Sequence, residues 1–173
     1  MQVAEYIVQF LKDKGILTVF TLQGGMITRL LDEIYKDGSI KIVAMHHEQA
    51  CGMAADAYAR IVNKPGVAFA TSGPGATNLL TGIGCCYFDS VPAIFITGQV
   101  NSAEIKGDNP TRQIGFQETD IVGMAKHITK MAQLIKLPKD IPGVFESAYR
   151  ISISGRPGPV LIDIPINLQN EEI

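Results

Sequence analysis

The chain has no tryptophan, only three cysteines and three histidines, and no excess of charge of either sign. Each scarcity removes a class of function. Cys51, Cys85 and Cys86 are odd in number, lack CxxC spacing and sit among apolar neighbours, so neither a disulfide framework nor a zinc site follows. They read as reduced core thiols of a cytoplasmic protein. His46 and His47 adjoin Glu48, but no histidine follows one helical turn later and His127 is far along the chain. No metal site is expected. A net charge of −2 without a basic run argues against nucleic acid or an anionic membrane surface as partner. No apolar stretch is long enough to span a bilayer, and residues 1–15 read as an amphipathic helix rather than a signal peptide.

Glycine, by contrast, is plentiful: 17 residues, clustered at turns that follow apolar runs. A length of 173 residues with 46% hydrophobic content suits one domain with a proper core. Apolar runs at 18–22, 40–44, 66–71, 92–97, 128–133 and 160–164 read as strands. Between them lie helical patterns at 2–14, 27–34, 46–60, after Asn78 to about Cys86, from Glu118 onward and at 141–153. Continuous apolar strands alternating with helices predict a three-layer α/β/α domain with a mostly parallel sheet of about six strands. Residues 101–117 are the longest irregular segment, and 155–159 (GRPGP) form a rigid turn into the last strand. Residues 1–166 are expected to form the domain, with 167–173 a polar linker stub or frayed tail.

The most informative stretch is HHEQACGMAADAYAR at 46–60. Glu48 stands where a strand ends and a helix begins, the edge of an α/β sheet at which ligands usually sit. An acid in a first helical turn also complements the helix dipole, so position alone does not prove chemistry. Behind it, six alanines and glycines leave a helix bare enough for another backbone or a flat ligand to approach. The turn TSGPGATN at 71–78 invites a phosphate reading and fails its specific tests. It lacks Gly-Lys-Ser/Thr, Asn78 stands where a dinucleotide loop needs glycine, and Pro74 has no amide to donate. In a parallel sheet these turns, the Gly24-Gly25 turn and Glu48 gather at one edge, with the segment ending in Phe116-Gln117 folded over them. One carboxylate, one carboxamide, glycine walls and an aromatic ring suit a neutral, planar, nitrogen-bearing ligand. A second acid, an activated nucleophile and a metal or phosphate cradle are missing, as if half of a site were present.

The residues carry a resemblance that accounts for the half. The stretches Gly24-Gly25, HEQACGMAADAYAR (47–60), TSGPGATN (71–78), DSVP (89–92), TGQV (97–100), FQETDIVG (116–123) and SGRPGPVLIDIP (154–165) occur in that order. Together they resemble the N-terminal pyrimidine-binding domain of thiamine diphosphate enzymes, closest to the acetolactate synthase branch, over nearly the whole chain. The resemblance implies that Glu48 is catalytic: it hydrogen-bonds a pyrimidine ring nitrogen of thiamine diphosphate and promotes the imino tautomer that takes the thiazolium proton. Such a glutamate shares a proton with a weakly basic ring, and burial among alanines favours the neutral carboxyl against the pull of its own helix dipole. Gly25, Thr71, Pro74 and Asn78 would contact the cofactor; Gly24, Met26, Phe116 and Gln117 would line the reaction site. Arg156 matches a position that touches FAD in flavin-bearing members.

The resemblance also implies what must come from elsewhere. The family's diphosphate-binding domain, with a GDG…NN magnesium motif, has no counterpart here, since Gly107-Asp108-Asn109 is not that motif. The magnesium ligands and the diphosphate anchor are therefore expected on a partner domain, of the same polypeptide or a separate subunit, in a homodimer or tetramer. The end shortly after Pro165 reads as the start of a linker in a longer chain. The expected reaction is decarboxylation of a 2-oxo acid, with ligation of the product to a carbonyl. Two departures bear on substrate and flavin: Gln23 and Met26 flank the double glycine, and residues 101–114 (NSAEIKGDNPTRQI) are longer and more polar than the family pattern. Three alternatives remain at this point: the separate alpha subunit of a two-chain 2-oxo acid decarboxylase, a non-catalytic assembly module and a nucleotide-binding α/β domain.

Overall fold

In the computed structural model, which describes residues 1–173, six strands form one sheet: β1 (Thr18–Thr21), β2 (Lys41–Ala44), β3 (Gly66–Ala70), β4 (Ala93–Gln99), β5 (Met131–Leu134) and β6 (Pro159–Pro165). Their order is β2-β1-β3-β4-β6-β5, and every neighbouring pair is parallel. The expected sheet is present, and it is wholly parallel. The helices are α1 (Val3–Asp13), α2 (Thr28–Asp37), α3 (Glu48–Val62), α4 (Pro74–Asn78), α5 (Leu80–Asp89), α6 (Ile121–Ala125) and α7 (Ile141–Ile153).

The central strands are buried on both faces, which is why they read as unbroken apolar runs. Their side chains alternate between two cores. Val67, Phe69, Ile94, Ile96, Val160 and Ile162 face α1, α2 and α7. Ala68, Ala70, Ala93, Phe95 and Leu161 face α3, α5 and α6. The second face is built of smaller side chains, and the bare helix α3 fits it. A Cβ on Gly66 would lie 2.0 Å from the Ala55 carbonyl oxygen, and one on Gly82 would lie 2.7 Å from the Gly52 Cα. The alanines and glycines of α3 thus admit two backbones, those of β3 and α5.

Two segments differ from their sequence expectation. The helix expected from Glu118 begins at Ile121, because Asp120 caps it through Gly123 N (2.8 Å) while the Glu118 carboxylate is engaged with the preceding loop. Residues 167–173, expected as a stub or frayed tail, are tied down. A 3-10 turn (Ile166–Asn170) buries Leu168 and Gln169. Val3 N donates to Glu171 O (2.9 Å) and Ile173 N to Met1 O (3.0 Å). Interspersed Leu168 and Ile173 supply the apolar contacts that a count of polar residues overlooked.

The topology opens a crevice at the carboxyl ends of β1 and β3. The chain leaving β1 turns to α2 on one face, while the chain leaving β3 turns to α4 and α5 on the other. No helix is long and apolar enough to cross a membrane.

Candidate active site

Glu48 is the first residue of α3, placed at this crevice by β2 and the 45–47 turn, and it is 6% exposed. His47 caps the helix, its Nδ1 accepting from Gln49 N at 3.1 Å. That role accounts for one histidine of the HHE triplet without a metal. The Glu48 carboxylate has one partner in the chain: Asn78 Nδ2 donates to Oε2 at 2.9 Å. Oε1 accepts no hydrogen bond from the chain, yet it is not among the solvent-sealed unpaired atoms, so it stays accessible. Opposite it lies Gly75, where a Cβ would come within 3.2 Å of Oε1 and 2.7 Å of Thr71 Cγ2.

Thr71 links this corner to the double glycine. Its Oγ1 accepts from Met26 N at 3.1 Å, and its side chain fills the space a Cβ on Gly24 would need, at 2.4 Å. Gly25 is exposed and has nothing within 4 Å of where its Cβ would be, so the floor beside Met26 is open. The Met26 carbonyl is held by Gln169 Nε2 at 2.8 Å, a contribution of the tail. Pro74, expected to shape the wall, is the first residue of α4, where its missing N–H leaves no helical bond unmade. Gly73, with φ +64°, turns the chain into that helix and packs against Gln117, whose Cβ would be 2.7 Å from a Cβ on Gly73. Gln117 is itself left-handed, at φ 59°. Phe116 beside it is 74% exposed.

The structure thus brings Glu48, Asn78, Thr71, Pro74, Gly24, Gly25, Met26 and Gln117 to one edge, with Phe116 at its rim. Arg156 stands elsewhere. Its Nε donates to Ser90 Oγ at 2.6 Å and its Nη2 to the Phe88 carbonyl at 3.2 Å, bracing the end of α5 beside the start of β6. That is the sheet edge opposite Glu48. The thiols stay out of the site. Burial pushes the Cys51 pKa up to about 11, and it raises that of Cys86 further still.

Gly75 and Gly73 were not singled out individually from sequence, although both lie in the TSGPGATN turn. Gln99, the last residue of β4, and Asp163, inside β6 opposite Thr97, are a buried polar pair that the sequence reading does not include. Their only signal was a polar residue inside an otherwise apolar strand. Asp163 accepts from Thr97 Oγ1 (2.7 Å) and Gln99 Nε2 (2.8 Å).

This geometry is that of a buried, helix-leading carboxylate with one oxygen anchored and one presented to a glycine-walled crevice. The chain is 42% identical over 169 residues to the acetolactate synthase isozyme 2 large subunit of Escherichia coli, covering 98% of this chain and 30% of that protein. It is 43% identical over 170 residues to an acetolactate synthase of Arthrospira platensis, covering 96% and 28%. To the chloroplastic acetolactate synthase of Arabidopsis thaliana it is 43% identical over 171 residues, covering 97% and 24%. The chain therefore spans no more than 30% of the length of these relatives. Residues 1–124 match the model of the thiamine pyrophosphate enzyme N-terminal TPP binding domain, and the chain belongs to that family.

Proposed function

We propose that this chain is the pyrimidine-binding half of a thiamine diphosphate enzyme that decarboxylates a 2-oxo acid and joins the product to a second carbonyl compound. The single observation that carries this reading is Glu48: buried, fixed through Oε2 by Asn78, with Oε1 free at the crevice. Thiamine diphosphate, when bound, supplies the electron sink for decarboxylation. The protein's part is orientation and proton handling. Glu48 Oε1 would hold a proton against a ring nitrogen of the bound cofactor. Asn78 keeps the carboxylate in one rotamer. Gly75 leaves the ring room to reach it, and Thr71 and Pro74 form the adjoining wall.

Gly24, Gly25, Phe116 and Gln117 line the space where the 2-oxo acid reacts, and Met26 narrows it on the acceptor side. The magnesium–diphosphate anchor belongs to a diphosphate-binding domain, on the same polypeptide or a second subunit, with the site closed in a homodimer or tetramer. A cytoplasmic location fits this assembly. FAD would add a role for Arg156, whose guanidinium meanwhile serves Ser90 and Phe88.

The test is a calorimetric titration of thiamine diphosphate and magnesium into the chain alone and into the chain with its diphosphate-binding partner. Weak or no binding alone, with binding and 2-oxo acid turnover in the assembly, supports the half-site. Tight binding by the chain alone would place the anchor here and overturn it.

A further inference from the structure

A long polar segment, residues 101–114, follows β4. Within it, residues 106–114 are exposed apart from the half-buried Lys106. Beneath it lies a cavity of about 350 Å³ walled by Gln99, Lys106, Arg112, Glu118, Asp120 and Asp163. Core packing therefore does not set where this loop lies, and a few hydrogen bonds at its base do. Glu118 makes two of them at once: Oε1 accepts from Lys106 N (2.7 Å) and Oε2 from Ile114 N (2.9 Å). The two ends of the loop are thus held on one carboxylate, a charge-assisted pair of bonds.

Just outside this clamp are Phe116 and Gln117. Gly115 is wedged against β4's end, where a Cβ on it would be 2.7 Å from Val100 Cβ, and its N donates to Glu104 O at 2.9 Å. Gln99 Nε2 donates to the Thr119 carbonyl at 2.8 Å and to Asp163. Between these anchors Gln117 is held left-handed, a conformation that costs a non-glycine residue free energy and persists only where its surroundings impose it.

We propose that Glu118 is a positioning residue for the reaction site: by fastening both ends of the 106–114 loop it fixes the turn that presents Phe116 and Gln117 to substrate. The inference rests on the reading of Phe116 and Gln117 as lining the reaction space. A one-ångström loosening of that turn is enough to disturb substrate alignment while leaving Glu48, on another element, untouched.

The experiment uses the chain assembled with its diphosphate-binding domain. Glu118→Ala should raise KM for the 2-oxo acid about tenfold, with a smaller loss in kcat. The Kd for thiamine diphosphate and Tm should stay near wild type. Glu118→Gln, which keeps one acceptor oxygen, should recover part of the loss. Trypsin should cut the folded Glu118→Ala protein faster after Lys106 and Arg112, read by mass spectrometry. Unchanged KM and unchanged cleavage overturn the proposal. So does a loss of activity that merely follows a fall in Tm. Should the wild-type assembly show no dependence on thiamine diphosphate, the functional reading falls by itself. Cleavage still decides the clamp in that case: faster cutting keeps it and equal cutting overturns it.

Discussion

Glu48 and Asp163 are both buried carboxyls at the carboxyl edge of one sheet, 6% and 2% exposed, and their surroundings treat them oppositely. Asp163 has a donor on each oxygen, Thr97 Oγ1 on one and Gln99 Nε2 on the other, both from the adjacent strand. Glu48 has a donor on one oxygen only and a glycine facing the other. A buried acceptor left unpaired costs free energy unless water or a ligand completes it. The fold therefore satisfies both oxygens of one carboxyl as a strand-to-strand tie and leaves one oxygen of the other without a donor from the chain. Burial alone does not separate the two acids; the count of their partners does.

The strongest way to break this comparison is Glu48→Gln in the complete enzyme. It should lower kcat for 2-oxo acid turnover by on the order of a hundredfold or more with little change in Tm, and steady-state kinetics beside a melt would measure both. Activity within a factor of two of wild type would remove Glu48 from the chemistry. Next in size is Gly75→Ala, whose Cβ would crowd Thr71 and approach Glu48 Oε1. We expect thiamine diphosphate affinity, read by titration, to fall roughly tenfold. Asn78→Ala should cost several-fold in kcat, by freeing the Glu48 rotamer that Nδ2 now holds.

Asp163→Asn should have the smallest effect on turnover, under about twofold, and instead alter how stability depends on pH. Burial pushes the Asp163 pKa up to about 7 from an ordinary 3.8, against the hydrogen bonds from Thr97 and Gln99 and with a contribution from Asp120. A carboxyl whose pKa is raised on folding stabilises the fold most below its ordinary pKa. That stability is lost as pH climbs toward the folded value. Asparagine does not titrate, so the Tm of the variant minus that of wild type should grow on the order of 5 °C as pH rises from about 5 to about 7, then level off. A difference flat with pH, or a loss of turnover equal to that of Glu48→Gln, would make the two carboxyls alike.

The fold was legible because a parallel sheet covered on both faces writes itself into the chain. GVAFAT and PVLIDIP are apolar runs too short for helices, each closed by a glycine or proline turn. Less legible were elements whose limits are set by side-chain partners distant in sequence. Helix α6 starts at Ile121 because Glu118 is used 12 residues back, on Lys106 N. The tail packs because Gln169 finds the Met26 carbonyl, 143 residues away. At the site, Glu48 and the glycine turns were visible as residue types at strand ends. Which oxygen is free and that Gln117 is left-handed were not, since both depend on contacts between separate turns.

By itself, the sequence determined the α/β/α layering and, through its family motifs, the membership of the chain in the thiamine pyrophosphate enzyme N-terminal family; it also marked Glu48 as the acid to test. Local hydrophobic pattern and turn chemistry act over a few residues, and a linear string records them. The tertiary structure decided that α3 is bare to admit two backbones, that Arg156 braces the far edge and that Glu118 ties a loop. It also made Asp163 a closed acid and Glu48 an open one. Those outcomes depend on which donors reach which acceptors across the sheet, and only the folded chain sets that.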